Sequence, residues 1–185
     1  MRNLYFLVLL AVLFLGLGLL LSCGDDDDDD DTGGDDDDDD ATGDTWTDSS
    51  SGLTWQVTPA SVPMYWEDAI EYCENLTLAG GGWHLPTISD LRTLIRGCDA
   101  TVTGGSCGVT DSCLDYDCED DSCGSCDYDD GPNNGCYGPS ELPGECFCYL
   151  SSSPVADDGD YAWLVHFNYG SVYSAGHYTY ARCVR

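Results

Sequence analysis

The chain has 185 residues, with 35 aspartates and glutamates against five basic residues, and its formal net charge is −30 at pH 7. This length allows one domain with appendages. The charge excludes nucleic acid as a partner, because phosphate binding requires a cationic surface. Twelve cysteines indicate an oxidising compartment and a fold held by disulfides.

The amino terminus has the pattern of an export signal. Arg2 precedes an apolar run over residues 4–21, and this order is typical of a signal peptide. The Leu-Leu-Ser-Cys ending at residues 20–23 resembles the lipobox of bacterial lipoproteins, in which the cysteine carries the lipid. An uncleaved anchor is the alternative, since a bilayer span needs ~20 apolar residues. We predict a signal peptide over residues 1–22, lipidation of Cys23, and a lipid-anchored position at the outer membrane or cell surface of a bacterium.

Residues 23–45 form a predicted tether. Thirteen aspartates fall within residues 25–40, interrupted only by Thr-Gly-Gly at residues 32–34. Like charges at this density repel one another and nothing apolar is present to be buried, so this acidic region is predicted to be disordered. A spacer between lipid and domain is the favoured role. A surface-sorting signal is the alternative, because such acidic runs resemble sorting signals of some bacterial lipoproteins.

The folded domain is predicted to extend over residues 46–185 and to begin with a strand. Residues 53–57 alternate between apolar and polar side chains, which is the period of a half-buried strand. Two amphipathic helices follow. Residues 66–76 place apolar side chains at helical spacing and acidic side chains on the opposite face. The Thr-Ile-Ser-Asp sequence at residues 87–90 has the spacing of a capping box, and the apolar stripe of the second helix reaches Ile95.

Residues 98–148 form a cysteine-rich insert. They contain nine cysteines and twelve acidic residues but no lysine or arginine. Since no apolar period persists, we predict a loop-rich excursion held by disulfides rather than by a hydrophobic core. Without the lipid-bearing Cys23, eleven cysteines remain. The crowded Cys-Phe-Cys sequence at residues 146–148 favours Cys148 as the unpaired one.

Two alternative roles for the insert cysteines remain open. Residues 123–126 have the Cys-x-x-Cys spacing of redox proteins, but they lack the strand-to-helix setting that lowers a thiol pKa. The spacing of Cys118, Cys123, Cys126 and Cys136 is compatible with a zinc site. Disulfides are nevertheless favoured in an exported protein.

A calcium loop is a third alternative for the insert. Asp127, Asp129 and Asp130 resemble the start of such a loop. Pro132 and the missing glutamate at the twelfth position depart from the EF-hand pattern. Ca²⁺ is therefore a weak candidate ligand, and no other cofactor is predicted.

The carboxy-terminal residues are predicted to form antiparallel strands. Residues 161–167 alternate, a turn follows at residues 168–171, and return strands cover residues 172–174 and 180–185. Their aromatic side chains form a predicted ligand surface for sugars or protein, with the members Tyr169, Tyr173, Tyr178 and Tyr180. Ordinary sheet packing is the alternative, because aromatic residues favour strands.

Seven short segments occur in a familiar order and spacing. They are residues 51–56, 66–76, 83–87, 91–95, 151–153, 162–167 and 182–185. Together they resemble the Lcl C-terminal domain family, which is named for a collagen-like bacterial adhesin, and the match extends from Trp46 to Arg185. His84 replaces the arginine usual in Trp-Arg-Leu-Pro-Thr. Tyr65 replaces a capping threonine that contributes ~1 kcal/mol.

The resemblance implies an α+β domain with a C-type-lectin-like fold, in which two helices flank a twisted antiparallel sheet. It also implies a disulfide from the first helix to the last strand, between Cys73 and Cys183. Lectin-fold calcium sites use Glu-Pro-Asn or Gln-Pro-Asp with Trp-Asn-Asp, and these motifs do not occur in the sequence. Calcium-dependent sugar binding is therefore not implied by the fold.

The histidines do not fall into a catalytic pattern. They are His84, His166 and His177, and no Ser-His-Asp order, HExxH pair or phosphate loop accompanies them. We expect a non-enzymatic surface module that binds or adheres to glycan or protein ligands. A structural envelope component and a Ca²⁺-dependent module that uses the acidic insert are the alternatives.

Mass spectrometry of the mature, non-reduced protein tests anchoring, compartment and fold together. We expect a diacyl or triacyl mass on Cys23, bridges among the other cysteines, and a peptide that links Cys73 to Cys183. An unprocessed amino terminus with reduced thiols and bound zinc would contradict all three and would make the insert a metal site.

Overall fold

The computed structural model describes residues 43–144, 146–176 and 178–185. The predicted signal peptide, Cys23, nearly all of the tether and His177 lie outside these residues. The elements of the described chain form an α+β domain. They are β1 (Thr45–Thr47), β2 (Thr54–Gln56), β3 (Met64–Tyr65), α1 (Trp66–Glu74), α2 (Ile88–Arg92), β4 (Cys148–Val155), β5 (Asp158–His166), β6 (Ser171–Gly176) and β7 (Tyr178–Thr179).

The strands form small antiparallel sheets. β4, β5 and β6 make a three-stranded sheet, while β1 pairs with β2 and β3 pairs with β7. In the central sheet Leu150 lies opposite Leu164, and Leu164 lies opposite Tyr173. The sequence pattern did not predict β4, because residues 151–154 are three serines and a proline without apolar alternation. Tertiary packing therefore decides this strand.

The predicted strand over residues 180–185 is wrong as a regular strand. The segment pairs through isolated bridges, Tyr180 with Tyr149 and Val184 with both Trp55 and His84. Backbone hydrogen bonds nevertheless hold it beside β2, since Gln56 N–H donates to the Cys183 carbonyl over 3.0 Å. Val184 thus lies between Trp55 and His84, and the chain end does not join one continuous strand ladder.

The second half of the central strand β5 is buried on both faces. Trp163 and Val165, with Phe167 just after the strand, pack into the larger apolar cluster as the predicted alternation requires, whereas Tyr161 on the same predicted face is exposed. Ala162 and Leu164, on the opposite face, are also buried. The alternating pattern therefore identified the strand but not the burial of its second face.

The two helices differ in how they begin. Tyr65 is the N-cap residue of α1 and makes no side-chain cap hydrogen bond. In α2 the predicted capping box is present: Thr87 Oγ1 accepts the Asp90 N–H over 3.1 Å, and Asp90 Oδ2 accepts the Thr87 N–H over 3.0 Å. This helix ends at Arg92, earlier than its apolar stripe. Leu94 and Ile95 still pack into the core.

The insert is pinned by four disulfides. Three are nested one inside the next: Cys98–Cys126, Cys107–Cys123 and Cys113–Cys118. The fourth, Cys136–Cys146, closes a separate loop. Each of these bridges closes a loop that persists when the chain unfolds, so together they lower the conformational entropy of the unfolded state.

The expectation of an insert without a hydrophobic core is wrong. Val109 and Tyr137 are buried in the same cluster as Trp163, and so are the sulfur-bearing side chains of Cys107 and Cys123. The insert therefore contributes side chains to the main hydrophobic core. The sequence pattern did not reveal these buried residues because they do not lie on a regular helix or strand.

Arg92 ties α2 to the start of the insert. Its Nε donates to the Thr101 carbonyl over 2.8 Å, its Nη2 to the Val102 carbonyl over 2.9 Å, and its Nη1 to the Val109 carbonyl. The side chain is buried, and burial lowers the pKa of this guanidinium below its ordinary value. Backbone dipoles therefore take the place of water around this charge.

Replacing Arg92 with methionine keeps the apolar stem but removes this donor from the Thr101 and Val109 carbonyls, while the Val102 carbonyl still accepts the Gly105 N–H. We expect a loss of roughly 2 kcal/mol or more in the free energy of unfolding, since each unsatisfied buried group costs about 1–3 kcal/mol. Urea denaturation followed by tryptophan fluorescence measures it.

Arg96→Met is the matched control for this prediction. Arg96 is partly exposed, and its Nη2 lies 3.5 Å from Oδ1 of the buried Asp48. The Asp48 carboxylate keeps the Ser50 and Ser51 hydroxyls as donors without Arg96, so we expect a smaller loss than for Arg92→Met. Equal losses in the two variants would show that Arg92 does not anchor the insert.

Candidate ligand-binding site

A cavity of about 270 Å³ lies where the insert meets the carboxy-terminal strands. Aromatic rings, amide side chains, one guanidinium and a disulfide form much of its wall. These groups belong to Tyr149, Phe167, Asn133, Asn134, Arg182 and the Cys136–Cys146 bridge. Concave sites with apolar walls and a few polar groups are the usual binding sites for small ligands.

A tight hairpin presents the two asparagines. Asn133 and Cys136 exchange both backbone hydrogen bonds, over 3.1 and 2.9 Å. Asn134 and Gly135 have φ of 51° and 89°, the left-handed conformation that favours Asn-Gly in such turns. The Cys136–Cys146 disulfide then links the hairpin to the segment before β4. The amides are thereby held on a rigid turn.

Phe167 is positioned by the chains on both sides of it. Its N–H donates to the Phe147 carbonyl over 3.0 Å, and its carbonyl accepts the Tyr137 N–H over 2.9 Å. Its ring meets the Tyr149 ring edge-on, with centroids 5.8 Å apart. The aromatic wall is therefore part of the hydrogen-bonded core.

Arg182 closes one side of the cavity. Its Nη1 donates to the carbonyls of Gln56 and Val57 over 2.8 and 2.6 Å, and its Nη2 donates to the Pro143 carbonyl over 2.8 Å. The guanidinium also lies over the Tyr149 ring, 5.3 Å from its centroid, and burial lowers its pKa. These contacts make Arg182 a structural part of the wall.

A second cavity of about 260 Å³ adjoins the first and shares Gly144 and Tyr149 with it. Pro59 and Tyr180 line its other side. Tyr180 stacks on Phe147, with centroids 5.9 Å apart and an interplanar angle of 8°. Of the four predicted ligand-surface tyrosines, Tyr180 is the one that lines a cavity next to the asparagine hairpin.

The structure does not gather the four tyrosines into one surface. Tyr169 and Tyr173 both contact His166, at centroid distances of 4.8 and 6.2 Å. Tyr178 instead pairs with Tyr65 over 4.9 Å on the β3–β7 ribbon. Strand spacing indicated aromatic exposure but could not indicate which rings meet.

No pattern in the sequence marked the cavity residues as a site. The Asn-Asn-Gly sequence ending at Gly135 is a hairpin signal that lay unused within the cysteine-rich insert. Tyr149, Phe167 and Arg182 carried no signal of their own. They become neighbours because β4, β5 and the chain end converge.

Cys148 is the free cysteine among the described residues, as predicted. Its Sγ lies 3.0 Å from Tyr173 Oη. Burial raises the pKa of this thiol, and the Tyr173 hydrogen bond partly offsets the rise. Burial likewise raises the Tyr173 pKa and lowers the His166 pKa.

The alternative roles of the insert cysteines are wrong. Cys118, Cys123, Cys126 and Cys136 each pair with a different partner, so they do not form a zinc site. For the same reason Cys123 and Cys126 do not form a Cys-x-x-Cys redox disulfide.

The calcium candidates lie exposed on one loop. The Asp127 carbonyl accepts the Tyr137 hydroxyl over 2.8 Å, and the Asp129 N–H donates to the Asn168 carbonyl over 2.8 Å. Within residues 43–144, 146–176 and 178–185, no three or more Asp, Glu, His or Cys side chains converge as metal ligands. Asp130 adds a nearby negative charge that helps to raise the Tyr137 pKa, after the larger effect of burial.

The Cys73–Cys183 disulfide, which the family resemblance implies, is formed in the structure. Fold and cavity together define a disulfide-rich α+β domain with a preformed cavity. The profile of the Lcl C-terminal domain matches residues 44–185, so the chain belongs to the Lcl C-terminal domain family. A comparison with curated proteins finds no match. In the described part of the chain, no helix has the length and apolarity of a bilayer span.

Replacing Tyr173 with phenylalanine tests the environment of Cys148. The phenol stabilises the thiolate, so its loss should raise the Cys148 pKa further. We expect the pH–rate profile for iodoacetamide alkylation to move to higher pH and the rate at pH 8 to fall. A Cys23→Ser background leaves Cys148 as the thiol that reacts.

Tyr161→Phe is the control, because Tyr161 lies opposite Gly176, far along β5 from the Cys148 pairing with His166. Faster alkylation of the Tyr173→Phe protein would mean that the phenol shields the thiol rather than stabilising the thiolate.

Proposed function

We propose that this protein is a lipid-anchored surface lipoprotein of the bacterial envelope whose folded domain binds a glycan without catalysis. The cavity between the asparagine hairpin and the Tyr149–Phe167 wall carries this proposal. Aromatic faces pack against the C–H faces of sugar rings, and amides donate to and accept from their hydroxyls. Both kinds of group line this cavity.

The size of the cavity suits a small part of a ligand. Its volume of about 270 Å³ falls just below the ~300–1,000 Å³ typical of whole-ligand pockets. One sugar residue, such as the end of a glycan chain, is the occupant that fits this volume. The adjoining cavity at Tyr180 offers room for the next residue.

Charge favours a neutral glycan. Residues 43–185 contain 22 aspartates and glutamates against four arginines. The arginine at the cavity, Arg182, already donates to three backbone carbonyls. An anionic sugar would therefore meet repulsion with little compensation.

We propose in addition that the domain has a C-type-lectin-like fold. Two helices, a central antiparallel sheet, and a chain end that returns beside β2 agree with a C-type-lectin-like fold. Such folds bind their ligands through long loops, and in this protein the disulfide-bonded insert would be that loop. Fold analogy supports binding only by association.

A glycan array probed with the full-length protein, followed by calorimetry, tests the function. We expect neutral glycans to bind and the Asn133→Ala, Asn134→Gly double variant to lose about tenfold or more in affinity, because each lost hydrogen bond is worth ~1 kcal/mol. Glycine suits the positive φ of residue 134, so the turn is preserved.

Asn75→Ala is the matched control, since Asn75 is exposed at the carboxyl end of α1. Undiminished binding by the double variant would move the site away from this cavity. A protein that binds no glycan on the array would contradict the function itself.

A further inference from the structure

The described domain has an acidic surface because residues 43–185 contain 22 aspartates and glutamates against four arginines. The guanidinium groups of these arginines are also largely used by backbone carbonyls. Arg92 and Arg182 each donate to three backbone carbonyls. Arg96 donates to the Thr93 and Ile95 carbonyls, and Arg185 to those of Ala79 and Gly81. The insert itself contains no lysine or arginine. The described carboxylates of the insert are exposed, and none of them forms a salt bridge within the described residues.

Two exposed tyrosines lie together on this acidic side. Tyr128, in the insert, and Tyr169, in the β5–β6 turn, have centroids 4.9 Å apart and an interplanar angle of 50°. They are 59% and 43% exposed. Asp127 and Asp129 directly flank Tyr128 in the chain and are themselves exposed. Aromatic faces and carboxylates both attract cations.

The pair is held from both sides before any ligand arrives. Asp129 N–H donates to the Asn168 carbonyl over 2.8 Å, which fastens the Tyr128 loop to the β5–β6 turn. The Cys98–Cys126 disulfide fixes the same loop just before Asp127. On the other side His166 meets Tyr169 edge-on, with centroids 4.8 Å apart. A preorganised platform loses little entropy on binding.

We propose that Tyr128 and Tyr169, together with Asp127 and Asp129, bind an arginine side chain of a basic partner protein. A guanidinium is planar and weakly hydrated, so it stacks on a tyrosine face while its N–H groups donate to carboxylates. Charge complementarity selects this partner, because the insert that carries Tyr128, Asp127 and Asp129 is acidic and contains no lysine or arginine. The site lies apart from the asparagine cavity and does not depend on the glycan function.

The chain contains a matched control for this site. Tyr65 and Tyr178 have the same centroid separation of 4.9 Å and a similar tilt of 58°. Their exposed fractions are 60% and 56%. No acidic residue directly flanks either tyrosine in the chain. The two pairs therefore separate the effect of local carboxylates from that of exposed rings.

The first experiment locates the binding. The full-length protein in detergent, with ¹³C-labelled tyrosine rings, is titrated with a hexa-arginine peptide in about 150 mM NaCl, where screening acts over ~8 Å. We expect saturable shifts of the Tyr128 and Tyr169 resonances, assigned through single Tyr→Phe variants. Shifts of equal size at Tyr65 and Tyr178 would overturn the proposal. Shifts with tetramethylammonium but none with the peptide would overturn the assignment to arginine.

The second experiment measures the contribution of the pair. Fluorescence polarisation of the labelled peptide should show about tenfold weaker binding to the Tyr128→Ser, Tyr169→Ser protein. The Tyr65→Ser, Tyr178→Ser protein should stay within about twofold of the unsubstituted one. The aspartate tract offers the peptide a parallel site that is the same in all these proteins. The loss is therefore evaluated on the binding component that saturates together with the Tyr128 and Tyr169 resonances.

A third variant tests the carboxylates. Asn fits the Asp129 φ of 59°, so Asp127→Asn with Asp129→Asn removes charge without straining the loop. We expect a loss of about tenfold here as well. Full affinity after either the Tyr128–Tyr169 or the aspartate substitution, with unchanged thermal melting, would overturn the site.

Discussion

The disulfide between Cys73 and Cys183 is the constraint on which the position of the chain end depends. It closes a sequence separation of 110 residues, and chain-entropy arguments assign a loop of about this size roughly 4–5 kcal/mol of stabilisation. It also holds the last residues beside β2, where Gln56 donates to the Cys183 carbonyl. Because Arg182 directly precedes Cys183, the same disulfide positions Arg182 in the wall of the cavity.

Arginine serves this acidic domain as an internal hydrogen-bond donor. Arg92 fastens the insert to α2, and Arg182 fastens the chain end to β2 and to Pro143. A buried guanidinium is stable only when carbonyls replace its water. Because the N–H groups of Arg92 and Arg182 are used in this way, these two arginines do not neutralise surface carboxylates. The acidic exterior itself follows from the excess of 22 aspartates and glutamates over four arginines in residues 43–185.

Local sequence patterns identified the elements whose hydrogen bonds are local. The Thr87–Asp90 capping box depends on neighbouring residues, so its spacing is visible in the chain. β4 was missed because its serines acquire a strand conformation only through β5. The insert was wrongly separated from the core because Val109 and Tyr137 are buried by contacts that lie far away in sequence.

The sequence by itself determined the family and, through that resemblance, the α+β class, since the order and spacing of motifs are properties of the chain. It favoured Cys148 as the unpaired cysteine, and the structure leaves that thiol free. Only the tertiary structure decided which aromatic rings meet. In the structure Tyr178 pairs with Tyr65, Tyr169 pairs with Tyr128, and Tyr180 lines a cavity. The reason is that a strand pattern specifies the face of a side chain, whereas its neighbours depend on where loops and disulfides bring distant segments together.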